Sequence, residues 1–201
     1  MLNSARITCD FLRLKAGDTA LLCMPLDYIA GKMVVVRSIE RNLRLINVKP
    51  SGHPLSDDSL RQANALHEEI IFAAMVPLQV YNSLQVPQER ERLRKIKQLI
   101  IGGGAIDDHL AEALKDFPHA VWSTYGMTET LSHIALRRLN GDSASDWYEP
   151  FDSVEVSLNA DGCLIINAPA ICPKPLVTND RAELQTISLS NGKHKQVRFR
   201  I

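Results

Sequence analysis

The sequence predicts an α/β fold: a mostly parallel sheet flanked by helices, followed by a small antiparallel β subdomain, a partial barrel. Through the first two-thirds, short apolar runs alternate with amphipathic segments, the pattern of a parallel sheet covered on both faces. Past about residue 136 the helical period disappears. DSVEVSLNADGCLIINAP (152–169) and AELQTISLSNGKHKQVRFRI (182–201) instead alternate about Asp161-Gly162 and Asn191-Gly192, which is a hairpin signal. The join falls near LNGDSASDW (139–147), the most polar stretch, dividing the chain into an α/β part (1–138) and an antiparallel β part (139–201).

The elements follow in order. ALLCMPL (20–26) reads as a buried strand, GKMVVVRSIERN (31–42) as a helix entered through Gly31, and LRLINVK (43–49) as the next strand. The loop PSGHPLSDD (50–58) leads into SLRQANALHEE, where Leu60, Ala63 and Leu66 share one helical face. FAAMVPLQVYN (72–82) is a mixed apolar segment, and its Pro77 is expected to break any regular element. PQERERLRKI (87–96) opens on Pro87, suited to a first helical turn, and its charges read as a solvated face behind Leu93 and Ile96. QLII (98–101) is a short buried strand. Asp107 can cap DHLAEALKDF, whose Leu110, Leu114 and Phe117 form one stripe, and AVWSTY (120–125) is another strand.

Composition excludes several classes. Hydrophobic residues make up 45% of 201, enough to bury a core. Lys plus Arg (23) balances Asp plus Glu (23), so no net field favours nucleic acid or an anionic membrane. The longest apolar runs, LLCMPL and MVVV, are far too short to span a bilayer. The first fifteen residues hold no apolar core of a secretory signal. Cys9, Cys23, Cys163 and Cys172 are scattered without a CxxC pair, which reads as reduced thiols in a soluble, cytoplasmic protein.

Three segments carry chemistry. After QLII comes GGGAI (102–106) and then the capped helix; glycines there let backbone approach a ligand or simply make a tight turn. The spacing matches neither a Rossmann fingerprint nor a Walker loop. After AVWST comes YGMTET (125–130), a ring, a glycine, two hydroxyls and a carboxylate where a strand ends. In open α/β sheets that end lines the ligand crevice, although a polar turn would use the same residues. VTNDRAEL (177–184) offers Asp180 as an acceptor for two ribose hydroxyls, or as a turn former.

Taken together, these segments resemble the core motifs of the adenylate-forming superfamily of acyl-CoA synthetases, luciferases and adenylation domains. GGGAI resembles its Gly-Gly-Ala loop, YGMTET its Tyr-Gly-x-Thr-Glu motif, and TND (178–180) its Thr-Gly-Asp motif with Asn179 in place of Gly. CMPLDYIAG (23–31) resembles Leu-Pro-Leu-Phe-His-x-x-Gly with Tyr28 in place of His. The string TYGMTETLSHIALRRLNG is similar to the o-succinylbenzoate–CoA ligases of menaquinone biosynthesis.

The resemblance implies an α/β core belonging to the large N-terminal domain of that superfamily. It implies ATP, Mg²⁺ and CoA as co-substrate, an aryl carboxylic acid, and reaction through an acyl-adenylate. Tyr125 would stack on adenine, with Gly102, Gly103, Gly104 and Ala105 as the other wall and Gly126 and Met127 beside them. Thr128 would touch the α-phosphate, Glu129 hold Mg²⁺, and Asp180 bind the ribose. Tyr28, Arg37, Gly103 and His133 would face the acid, Arg37 pairing with a carboxylate unless it is a solvated helix residue. Nothing in the chain matches the superfamily's Ser/Thr/Gly-rich phosphate loop, its Gly-Arg-x-Asp hinge or its C-terminal lysine domain. The expectation is therefore a piece of a longer ligase, with little activity alone. A ligase for another aryl or fatty acid and a non-catalytic nucleotide-binding remnant are the alternatives. A sheet without its usual cover would favour self-association.

Overall fold

A computed structural model describes residues 1–60, 69–188 and 195–201. Its main sheet has seven strands in the order β2-β1-β3-β4-β5-β6-β7. These are β1 (Thr19–Leu22), β2 (Arg44–Asn47), β3 (Phe72–Met75), β4 (Gln98–Ile101), β5 (Ala120–Gly126), β6 (His133–Arg138) and β7 (Glu149–Pro150). The first five pair in parallel and the last two antiparallel. Every residue of β1 and β3 is buried, as a strand covered on both faces requires.

Helices α1 (Leu2–Phe11), α2 (Ile29–Arg41), α3 (Pro77–Gln85), α4 (Pro87–Lys95) and α5 (Asp108–Leu114) accompany the sheet. One buried cluster runs through it, from Cys9 and Leu14 by way of Leu21, Phe72, Leu99 and Ile134 to Phe199. Asp107 caps α5 by accepting from the Leu110 amide at 2.8 Å. Beyond β7, β8 (Glu155–Leu158), β9 (Cys163–Asn167) and β10 (Leu176–Arg181) form one antiparallel sheet. β11 (Glu183–Ser188) pairs antiparallel with β12 (Lys195–Arg200), the turn expected at Asn191-Gly192 lying outside the described residues, and a bridge from Phe199 to Tyr148 ties the pair to the main sheet.

Several local expectations are corrected. Pro77 breaks no element; it is the first residue of α3, where a missing amide hydrogen costs nothing. The charges of α4 are not all solvated. Glu89 is 1% exposed and accepts from Ser56 Oγ at 2.5 Å and Ser83 Oγ at 2.8 Å, with His53 Nδ1 at 3.0 Å. The α2 helix begins two residues before Gly31, and α1 and β6 were not anticipated. The helix expected at 59–69 falls largely on residues 61–68, outside the described residues.

Candidate functional site

The strand order reverses between β1 and β3: the chain steps outward from β1 to β2, then returns to the other side of β1. Such a switch point leaves a crevice beyond the carboxyl ends of the strands, because neighbouring connections depart to opposite faces. A cavity of about 260 Å³ lies there. Met24 follows β1, Val76 follows β3, Gly102 and Gly103 follow β4, and Met127 and Thr128 follow β5; all line it. Ile29, Ala30 and Arg37 of α2 and Leu131, Ser132 and His133 line it as well.

Two glycines of the cavity wall are required by close approach. A Cβ on Gly102 would overlap Thr124 Oγ1, and one on Gly126 would overlap the backbone of Ser132 and His133. The glycine turn and the β5 hexad are thus pressed against their neighbours as well as against the cavity. Leu131 adopts φ +62°, a conformation rare for a bulky side chain, and it sits in the cavity wall.

The site residues expected from sequence divide into three groups. Gly102, Gly103, Gly126, Met127, Thr128, Arg37 and His133 share the cavity. Tyr125 and Asp180 lie outside its wall but are joined, Tyr125 Oη donating to Asp180 Oδ2 at 2.6 Å. Burial first, and that hydrogen bond second, push the Tyr125 phenol well up. Its ring meets Phe199 edge-on at 5.0 Å and Tyr148 at 5.8 Å. Gly104, Ala105, Tyr28 and Glu129 are exposed and outside the wall; Tyr28 flanks α2 immediately before Ile29.

A register shift in the β9–β10 pairing between Val177 and Arg181 spans the TND segment, and such bulges commonly re-aim side chains. Asn179 has no positive φ, so Asn in place of Gly meets no backbone objection there.

Arg37 departs furthest from a solvated helix arginine. It is 2% exposed, with Nη2 donating to Ser132 Oγ at 2.7 Å and Thr8 Oγ1 at 3.5 Å. Its Nε has no partner, and no carboxylate among the described residues pairs with it. Burial pushes the guanidinium down to about 10. His133, also buried, lies 2.9 Å from Thr8 Oγ1 through Nε2 and is held neutral by burial and by the Arg37 charge. Sequence reasoning did not select Ser132 or Thr8; Ser132 could have been suspected from its place beside His133, but Thr8 comes from a helix that had not been anticipated.

Thr128 and Glu129 form a 3-10 turn (Thr128–Thr130) whose two leading side chains hold no partner among the described residues. The turn is tethered by Cys172 Sγ donating to the Glu129 carbonyl at 3.0 Å. A lone exposed carboxylate suits Mg²⁺, which keeps most of its shell for water and phosphate oxygens, and the described residues hold no cluster of three candidate ligands.

The AMP-binding enzyme family model matches residues 1–160. The chain belongs to the AMP-binding enzyme family. An acyl-CoA synthetase (AMP-forming)/AMP-acid ligase II-like protein from Dyadobacter fermentans is 31% identical in structural alignment, with TM-score 0.84 over 99% of this chain and 52% of that one. A 2-succinylbenzoate–CoA ligase from Bacillus mycoides is 27% identical over 80% of this chain and 34% of the relative. An o-succinylbenzoate coenzyme A synthetase from Bacillus subtilis, in complex with ATP and magnesium ion, shares the fold at TM-score 0.67 and 21% identity, covering 87% of this chain and 38% of that one. The chain therefore spans about a third to a half of the length of these relatives.

Proposed function

We propose that the chain carries the acid- and nucleotide-binding core of an ATP-dependent acid–CoA ligase, and that the acid has a second anionic group, as o-succinylbenzoate has. The observation that carries this reading is Arg37: a buried cation with no carboxylate partner, an unmade Nε donor and an open cavity in front of it. An unpaired buried charge costs several kcal/mol, a cost that a ligand carboxylate would offset through a charge-assisted contact. Apolar Ile29, Ala74, Met75, Ile100 and Leu131 in the same cavity wall suit an aryl body. The name of the Bacillus mycoides relative supports the same acid.

In this reading the acid's reacting carboxylate lies near Thr128 and meets the α-phosphate of ATP, giving an acyl-adenylate and pyrophosphate; CoA thiolate then displaces AMP. Gly102, Gly103, Gly104, Ala105, Gly126 and Met127 are assigned to the nucleotide, Tyr125 to the base and Asp180 to the ribose. Asp180 already accepts one hydrogen bond from Tyr125, leaving its other oxygen for a ribose hydroxyl. Tyr28 and Gly103 are assigned to the acid. Glu129 would hold Mg²⁺, which neutralises phosphate charge when bound. His133, neutral and buried, is assigned to shaping the pocket.

Calorimetric titration of the 201-residue chain with o-succinylbenzoate and with benzoate tests the reading. The dicarboxylate is expected to bind at least tenfold tighter, and the preference to vanish in Arg37→Met. Equal affinity for both acids in the unsubstituted chain would refute the second-anion assignment. The isolated chain is proposed to bind nucleotide weakly and to turn over little, since no segment of it matches a phosphate loop; thioester formation at an ordinary enzymatic rate would contradict this. The Dyadobacter fermentans relative, whose name specifies no acid, keeps a ligase for a different acid as the second reading.

A further inference from the structure

The cation in the cavity does not stand alone: three side chains, Thr8 of α1, His133 of β6 and the adjacent Ser132, join it in a chain of polar groups. Arg37 Nη2 reaches Ser132 Oγ (2.7 Å) and Thr8 Oγ1 (3.5 Å). Ser132 Oγ lies 3.4 Å from His133 Nδ1, and His133 Nε2 lies 2.9 Å from Thr8 Oγ1. Thr8 Oγ1 also donates to the Ser4 carbonyl at 3.0 Å. Thr8, Arg37 and His133 are all buried, and Thr8 lies away from the cavity wall, so its hydroxyl depends on these neighbours for partners.

Donor arithmetic orders this chain. A hydroxyl has one proton and two lone pairs, and a guanidinium only donates. With the Thr8 proton committed to Ser4 O, Thr8 Oγ1 can only accept, from Arg37 Nη2 on one side and His133 Nε2 on the other. His133 must then carry its proton on Nε2, leaving Nδ1 as an acceptor toward the Ser132 hydroxyl. Each of the five contacts has one donor and one acceptor in this arrangement.

We propose that Thr8 is a positioning residue for the anion site: it fixes His133 as the neutral Nε2–H tautomer and helps hold the Arg37 guanidinium against the cavity. Thr8 lies outside the cavity wall, so its effect passes entirely through Arg37 and His133. The inference rests on the Arg37 reading for its consequence in binding, but not for the tautomer.

The test uses the ¹⁵N-labelled 201-residue chain. Two-bond ¹H–¹⁵N spectra of His133 should show the Nε2–H tautomer without any variant or ligand; an Nδ1–H tautomer overturns the proposal directly. In Thr8→Val, of similar shape but without the hydroxyl, His133 should shift toward Nδ1–H, and o-succinylbenzoate affinity should fall about tenfold, the loss of one hydrogen bond to a charged group. Thr8→Ser should restore both. An unchanged tautomer and affinity in folded Thr8→Val would reject the role. Loss of binding in Thr8→Val with no tautomer change and no rescue by Ser would show a merely structural threonine. If Arg37→Met leaves o-succinylbenzoate binding intact, the ligand assignment fails while the tautomer result stands.

Discussion

Arg37 sets function against stability at the scale of a single residue. Its guanidinium is buried with Nε unpaired, and a flexible apolar side chain of similar length would fill the same space without that desolvation. Arg37→Met is therefore expected to raise the thermal midpoint while removing the preference for a second carboxylate; a fall in the midpoint measured by calorimetry would contradict the account. Gly126 and Gly102 separate by what they touch. An added Cβ at Gly126 meets backbone, whereas at Gly102 it meets a side-chain hydroxyl that can rotate. Gly126→Ala should cost about 3 kcal/mol or more and Gly102→Ala less, as urea midpoints would reveal. His133 gives a pH signature. Burial and Arg37 depress its folded pKa below the unfolded value, so the unfolded chain binds the extra proton first. The stability it contributes is complete above the unfolded pKa near 6.5 and declines as pH falls below it, by at most about 1.4 kcal/mol per unit. His133→Asn should flatten the slope between pH 6.5 and 5.5 in denaturation curves.

Among the elements, the loop after β2 and the two helices α3 and α4 are fastened by Glu89. The carboxylate takes hydroxyl protons from Ser56 in the loop and Ser83 in α3 while belonging to α4 itself. Glu89→Ala would leave Ser83, fully buried, without its acceptor, and should cost roughly 1–3 kcal/mol; Glu89→Gln keeps an acceptor and should cost less. The charge pattern of PQERERLRKI gave no hint of this, because a sequence run shows which residues are charged and not which one turns inward. Asp107 is the opposite case. Its place before an apolar stripe sufficed to predict the cap found at 2.8 Å, and a loss of about 1 kcal/mol is expected for Asp107→Ala. Pro77 was legible as punctuation, but whether it ends a strand or opens a helix depends on β3 and α3 packing on either side of it.

For the whole molecule, β2 pairs only with β1 among the described residues, and its Arg44, Leu45 and Asn47 are exposed. With Ile39, Leu78 and Val177 also exposed, concentration-dependent association is expected by light scattering, and a strictly monomeric profile at high concentration would argue against it. No helix of the described residues is long and apolar enough to cross a membrane. The strand-and-helix alternation, the hairpin at Asp161-Gly162, the pairing of the last two strands and the order of the glycine turn, the YGMTET segment and TND were all readable in the sequence, since apolar period and turn chemistry are local properties. Only the folded chain decided that the strand order reverses between β1 and β3, that Arg37 turns inward and that Tyr125 and Asp180 bond to each other. Those facts join residues up to 95 positions apart, as Arg37 and Ser132 are, and packing alone determines which distant groups are brought together.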